Sequence, residues 1–324
     1  MEKFSRRETT AMLGSCGSSL LFGLSYMFSK RVLGTVSVFS LLSWRFLFGA
    51  AGMSLCVAFG LIKVNFRAKP LKPLLRMVFF MPGLYFIFEA LGVRLTTASE
   101  SGTIIACIPI FTLVASALLL REPPTRLQVG GILFSTAGIL TIVLLKGTSA
   151  SFSLPGYLFL LGAVCSSTLF YVESRRASGY TVFEKTYAMC LTGALVFTVC
   201  ALAEHGLKGD VGAFLSLPFT NHAFLASAAY LGLGCTTLAF LLSNRSIAIL
   251  GTTRASAFSG LSTVISVISG VMILGDPFSW LQGAGTFLVL CGIYIVNIFS
   301  PLYNKKLSRR SPDAGDESLV STKE

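Results

Sequence analysis

Five ionisable side chains stand within or at the ends of long apolar runs: Arg45, Glu89, Glu100, Glu173 and Arg254. A charge inside hydrocarbon is expensive, so such residues face a protein interior or a wet cavity and mark places where solutes or ions are handled. Arginine presents a planar fork of donors that fits a carboxylate through both oxygens. Carboxylates can hold that fork closed when no solute occupies it. Counted by helical rise, Arg45, Glu89 and Glu100 lie about 5–10 Å inside one face of the bilayer. Glu173 and Arg254 lie near the other face. The spacing points to two gates, a cluster of Arg45 with Glu89 and Glu100, and a pair of Glu173 with Arg254. A plainer reading stands beside it. Arg45 then forms a structural ion pair, while Glu173 and Arg254 reach the interface along their aliphatic stems.

Polar stripes add candidates. Ser256, Ser259, Thr263, Ser266 and Gly270 recur at helical spacing, as do Ser15, Ser18, Phe22, Ser25, Tyr26 and Ser29. Small-residue faces let helices approach closely in lipid, and they also suit the wall of a cavity. Phe22, Trp44, Tyr85, Phe88, Phe170, Tyr230 and Phe240 can supply its apolar lining. The residues expected to bind substrate or gate it are Arg45, Glu89, Glu100, Arg254, Glu173, Phe22, Trp44, Tyr85, Ser259 and Thr263. Pro109 breaks an apolar run, either freeing carbonyls for a ligand or kinking a packed helix.

Several chemistries are excluded. The chain has no His-Glu-x-x-His, no Gly-x-Ser-x-Gly and no Gly-x-x-x-x-Gly-Lys-Ser/Thr phosphate loop. With two histidines, both at run ends where they read as interfacial, a His-based metal site is not expected. Asp210 and Asp276 are the aspartates ahead of the tail and fall in loops, so no intramembrane aspartyl pair exists. The eight cysteines lie in apolar runs without a Cys-x-x-Cys and read as small hydrophobes. Neither enzyme activity nor a cofactor is expected.

The elements that position these residues follow from composition. Apolar residues make up 53 % of 324 and charged residues 12 %. Mean hydropathy is +0.76. Soluble domains carry about 25 % charged residues, so most of this surface must face lipid. The net charge of +12 does not indicate nucleic acid, because the basic residues sit in short connections and tails. Apolar runs lie near 11–29, 36–62, 74–95, 97–120, 127–145, 154–173, 186–204, 222–243, 252–274 and 279–300. Each can cross about 30 Å of hydrocarbon. The first is too long for a signal-peptide core and is read as retained. Residues 1–10 and 301–324 are polar, and the latter reads as a disordered tail.

Ten spans place both termini on one side. Twenty of the 26 Lys and Arg then share the side of the termini, which makes that side cytoplasmic and the Arg45 face the outer one. The expected protein is all-α and multi-pass in a plasma (inner) membrane. Asn244-Arg245-Ser246 forms a sequon whose cytoplasmic position precludes glycosylation.

The chain also repeats. At an offset of 154, Leu120, Pro123, Leu127, Gln128, Gly131, Gly138 and Ile139 recur as Leu274, Pro277, Leu281, Gln282, Gly285, Gly292 and Ile293. More weakly, Gly14, Ser18, Ser19 and Phe22 recur at Gly162, Ser166, Ser167 and Phe170. The units are 11–146 and 154–300, five spans each. An odd number of spans makes them antiparallel in the membrane, as two inverted repeats.

The paired halves resemble the drug/metabolite transporter superfamily, EamA type. Each half ends in an apolar run, an acidic-proline corner, Leu-Gln and spaced glycines, and Trp44-Arg45-Phe46 resembles that family's Arg-Phe feature in the second span. The second half departs from the first, with no arginine matching Arg45 in span 7 and Thr263 in place of Pro109. The resemblance implies export or exchange of small metabolites, amino acids among them, without ATP. The expected partners are a small-molecule substrate, the lipid bilayer and a coupling proton or ion; a homodimer is left open. The alternative is a non-transporting membrane subunit that binds a partner protein or lipid.

Overall fold

The computed structural model describes residues 5–33, 35–67, 69–95, 104–105, 107–144, 153–274 and 280–301. Glu100 and the 302–324 tail lie outside them. The described residues are helical, with no strand. In order they form α1 (Arg6–Leu33), α2 (Val38–Ala58), α3 (Leu71–Val78), α4 (Tyr85–Leu95), α5 (Ile108–Leu119), α6 (Arg126–Leu144), α7 (Leu154–Arg176) and α8 (Val182–Lys208). The chain continues through α9 (Val211–Thr220), α10 (His222–Ala229), α11 (Phe240–Leu250), α12 (Thr252–Ala257), α13 (Ser259–Leu274) and α14 (Trp280–Tyr294). Val38–Ala58, Leu71–Gly92, Leu154–Arg176, Val182–Lys208 and His222–Leu250 are long and apolar enough to cross a membrane. The sequence did not announce α9, which occupies a stretch read as a loop.

Local rules set the helix ends. Ser37 caps α2 by accepting from the Ser40 N–H at 3.1 Å. Thr181 and Glu184 form a reciprocal capping box that starts α8. Gly209, at φ 73°, ends α8 in the left-handed conformation that a side chain disfavours. Two π-helical segments, Phe79–Leu84 and Tyr230–Ala239, join α3 to α4 and α10 to α11. Met81 leaves the helical region (φ −145°, ψ 117°) ahead of Pro82, which cannot donate to the helix ladder. A third π-helical segment, Ile295–Phe299, follows α14.

The closest packing joins α6 to α14, α2 to α8, α4 to α7, and α1 to both α11 and α13. Glycines set the α6–α14 crossing. A side chain at Gly138 would strike the Gly285 carbonyl, and one at Gly292 would strike the Gly131 carbonyl. Such contact gains dispersion where lipid gives no hydrophobic drive to pair. The main core cluster gathers Phe46, Met53, Met77, Phe86, Phe170, Met189 and Phe197.

The surface is apolar, and polar side chains share the interior with the apolar core. Ser40, Ser43, Ser116, Thr236 and Asn244 are fully buried, while Leu13, Leu118, Leu195 and Phe287 stand exposed. Large exposed apolar side chains around an interior that mixes apolar and polar residues are the arrangement lipid selects.

Candidate functional site

Arg45 lies deep in α2 and is buried, with 7 % of its surface exposed. Its Nε donates to Thr236 Oγ1 at 2.8 Å. Its guanidinium carbon lies 4.9 Å from the centre of the Phe86 ring and 5.8 Å from that of Phe46. Both supports come from π-helical neighbourhoods. Thr236 sits within the Tyr230–Ala239 segment, and Phe86 follows the Phe79–Leu84 segment. A π-turn widens the helix and re-aims its side chains, which is why such turns gather at functional sites. Close approach makes this possible. A side chain at Gly232 would meet the Arg45 carbonyl and the Phe48 Cβ, and one at Gly49 would meet Thr236.

Thr236 is the one protein acceptor of the Arg45 guanidinium among the described residues. The fork is therefore fixed at its base, and its tips have no protein acceptor among the described residues. Nearby, the Tyr85 hydroxyl donates to Glu89 Oε1 at 3.0 Å, and Arg45 is the cation acting on that carboxylate. Among the described residues no ion pair joins the two. Cys190 and Cys235 also lie within reach of the Arg45 charge. Tyr85 packs edge-on against Phe86, with centroids 5.1 Å apart. Arg45, Glu89, Tyr85 and Phe86 thus form one cluster, and Glu100 lies outside the described residues.

Other expected residues sit elsewhere. Trp44 turns toward α9, where its Nε1 donates to the Phe214 carbonyl at 3.2 Å. Phe22 packs on Phe240 at 5.5 Å between centroids. Ser259 and Thr263 are half-buried on α13, the helix laid against α1, and the Ser259 carbonyl accepts from Ser262.

Glu173 and Arg254, expected from sequence to pair, take different partners. Glu173 is buried, accepts from Arg176 Nη1 at 2.8 Å, and is ion-paired with Arg76, whose Nε lies 3.3 Å from its other oxygen. Arg254 reaches Glu8 Oε1 at 3.4 Å and donates to the Asn297 carbonyl at 2.9 Å. Arginines of α3 and of the last turn of α7 hold Glu173, and an acid in the first turn of α1 meets Arg254. Burial works to raise the Glu8 carboxyl, but hydrogen bonds from the Ser5 backbone and side chain and the Arg254 charge outweigh it and hold the group below its ordinary value.

The sequence reading missed two ties to α8, one from the connection that follows α2 and one from the start of α2. At one end Glu184, 2 % exposed, accepts from Lys69 Nζ at 2.6 Å, the Asn65 N–H at 2.9 Å and the Thr181 N–H at 2.8 Å. At the other end Ser37 and Ser40 meet Glu204 and His205. His205 is buried and stacked on Phe214. The available signal was a pair of acids flanking span 7 opposite serines and a lysine flanking span 2.

Comparison with known proteins bears on the whole chain. The profile described as EamA-like transporter family matches twice, over residues 9–144 and 154–298. An uncharacterized transporter, YcxC of Bacillus subtilis (strain 168), is 34 % identical over 90 % of this chain and 94 % of its own. A probable amino-acid metabolite efflux pump of Salmonella typhimurium is 22 % identical over 58 % of this chain and 63 % of its own. One solved crystal structure, at 21 % identity, matches with a TM-score of 0.73 over 89 % of this chain and 98 % of that one, which speaks for the fold. Relatives of this kind are transporters, and the apolar helices described above are those of an integral membrane protein. By a profile that covers both of its halves, the chain belongs to the EamA-like transporter family of the drug/metabolite transporter superfamily.

Proposed function

We propose that this transporter exports or exchanges a small metabolite such as an amino acid by alternating access, and that Arg45 receives the substrate carboxylate. The observation that carries this reading is the guanidinium itself, fixed through Nε and over the Phe86 ring with its terminal amines unmatched by protein acceptors among the described residues. A preorganised fork of this kind binds a planar carboxylate through two parallel hydrogen bonds. Glu89 then holds the opposite charge of the site and competes with the solute for Arg45, so the cluster closes the outer side when empty.

Ten spans in two inverted repeats, 11–146 and 154–300, give this site its alternating access. Several observations support that reading. The family profile matches each half separately. The packing is consistent with exchange of the halves. Under it the α2–α8 and α6–α14 contacts map onto themselves, α4–α7 onto α1–α11, and α5–α7 onto α1–α13. Gly131 and Gly138 meet Gly292 and Gly285, their crossed repeat partners. We place both termini in the cytoplasm of a plasma-membrane protein on the strength of the Lys and Arg bias.

The test is counterflow of a labelled amino-acid panel in proteoliposomes, with and without a pH gradient to reveal a coupling proton. Arg45→Ala is expected to insert and fold but to lose exchange of carboxylate-bearing solutes. Wild-type rates in that variant would end the assignment of Arg45.

A further inference from the structure

We propose that Glu89 is the second half of the binding site and takes a solute ammonium, so that the carrier selects α-amino zwitterions over plain carboxylates and plain amines. The inference rests on Arg45 as the carboxylate site and adds the group that answers it.

The observation that carries it is where the acids of this protein find their counter-charges. Glu184 has Lys69 at 2.6 Å, Glu204 has Lys208 at 2.6 Å and Glu173 has Arg176 at 2.8 Å. Glu8 and Glu122 each have an arginine at 3.4 Å. Glu89 is the exception among the described glutamates, with no basic side-chain nitrogen of a described residue within 4.0 Å. Arg45, 7 % exposed, likewise has no described carboxylate oxygen within 4.0 Å. Both nevertheless belong to one cluster. Arg45 lies 4.9 Å from the centre of the Phe86 ring, Glu89 accepts from Tyr85 at 3.0 Å, and the Arg45 charge acts on the Glu89 carboxylate.

Opposite charges that have lost their hydration attract strongly in a low dielectric, and they close on each other unless packing holds them apart. Here the anchors lie on different helices. Arg45, on α2, is fixed through Nε to Thr236 at 2.8 Å, and one Glu89 oxygen, on α4, is fixed by Tyr85 one turn earlier. That leaves donors on one group and an acceptor on the other. The Arg45 terminal amines and Glu89 Oε2 have no protein hydrogen-bond partner among the described residues.

An α-amino acid carries the complementary pair, with its ammonium nitrogen and carboxylate carbon about 2.5 Å apart across one carbon. Once its carboxylate lies on the Arg45 fork, its ammonium needs an acceptor a short step away that the same arginine has not already neutralised. A direct Arg45–Glu89 ion pair would cancel both groups, whereas the separation keeps both available. A carboxylate without the ammonium brings a second negative charge beside Glu89. An amine without the carboxylate brings a second positive charge beside Arg45. Each leaves one desolvated charge uncompensated, which is the costly case and the source of the selectivity. The neighbouring core, with Phe46, Phe86 and Phe197, is apolar and supplies no charge in compensation.

The experiment is titration calorimetry on the full chain in nanodiscs, with two matched sets of probes. Leucine is compared with isocaproate, which lacks the ammonium, and with isoamylamine, which lacks the carboxylate. Alanine is compared with propionate and ethylamine in the same way. In wild type each amino acid is expected to bind at least about tenfold more tightly than either analogue, the scale set by losing a hydrogen bond between charged groups. In Glu89→Gln the amino acids are expected to weaken by about tenfold or more while the carboxylates hold or gain, so that the preference disappears. Retained carboxylate binding shows that the variant is folded. Glu89→Asp keeps the charge and is expected to keep the amino acid ahead. Equal binding of each amino acid and its carboxylate analogue by wild type overturns the proposal without any variant. So does a preference that survives in Glu89→Gln. In both cases loss of carboxylate binding in Arg45→Ala would leave the assignment of Arg45 standing, whereas wild-type affinities in Arg45→Ala would end both.

Discussion

Thr236 Oγ1 stands 2.8 Å from Arg45 Nε, and that bond joins α2 to a π-helical turn 191 residues away in the chain. It leaves the far edge of the guanidinium open, so the threonine orients the fork without occupying it. Thr236→Val keeps the shape and deletes the acceptor. Hydrogen bonds to charged groups contribute about 1.5–3 kcal/mol, so KM for a carboxylate solute is expected to rise about tenfold or more, with a smaller change in kcat. Proteoliposome kinetics measure the split. An unchanged KM would make Thr236 a packing residue.

The α6–α14 crossing gives an internally controlled test. Gly131 and Gly138 press against backbone of α14, whereas a side chain at Gly130 meets nothing within 4 Å. Gly138→Val is expected to cost about 1–3 kcal/mol through overpacking. Gly130→Ala should be neutral or stabilising by up to about 1 kcal/mol from helix propensity. Thermal unfolding of detergent-solubilised protein reads both, and equal effects at the two positions would contradict the crossing.

Much of this fold is legible in the sequence because lipid imposes a simple rule. A run such as 186–204 must bury its backbone polar groups within itself, so hydropathy alone places it. The glycine register from Gly131 to Gly292 was legible for the same reason, as only small residues permit that approach. The partners of charged residues were less so. Depth put Glu173 and Arg254 at one level, but which cation reaches Glu173 depends on how Arg76, six positions into the third segment, swings over α7. The π-helical turns had only Pro82-Gly83 and Gly232 as signs, and neither specifies the extra residue per turn that aims Thr236 and Phe86 at Arg45. The packing of His205 under Phe214 was not legible, because a sequence shows distance from a span end and not the helix α9 that covers it.

Acid should release the start of α1 from α12. The folded Glu8 carboxyl lies below its ordinary value of 4.5. A depressed carboxyl contributes stability that is present above that value and is lost as pH falls through the lower, folded one. The unfolding-temperature difference between wild type and Glu8→Gln is therefore expected to be present at neutral pH and to vanish in acid below 4.5. Because Glu8 is about one-third exposed, the difference should be small and should shrink further in high salt. A difference that grows on acidification would have the wrong sign for this pairing.

Orientation has its own measurement. The excess of Lys and Arg on one side predicts that a reporter fused after Glu324 reads as cytoplasmic and one inserted at Lys208 as external. An external signal at Glu324 would reverse the whole assignment and expose the His205 end to the cytoplasm.

Glu184, where α8 meets the connection that follows α2, makes the sharpest stability prediction. Glu184 accepts from two backbone N–H groups, Asn65 and Thr181, as well as from Lys69. Every neighbour is a donor, so only an acceptor on both oxygens satisfies the site. Glu184→Gln turns one oxygen into an amine that faces a donor. The loss is expected to be about 2 kcal/mol, the cost of leaving buried groups unpaired. Lys69→Ala should cost less, because its side chain is 25 % exposed and the carboxylate keeps both backbone donors. In the double variant the two losses should add to less than their sum, since the lysine contributes nothing once the carboxylate is gone. Chemical unfolding of the four proteins closes the cycle. Strict additivity would mean that Lys69 and Glu184 do not interact, and the tie would then rest on Asn65 and the capping box alone.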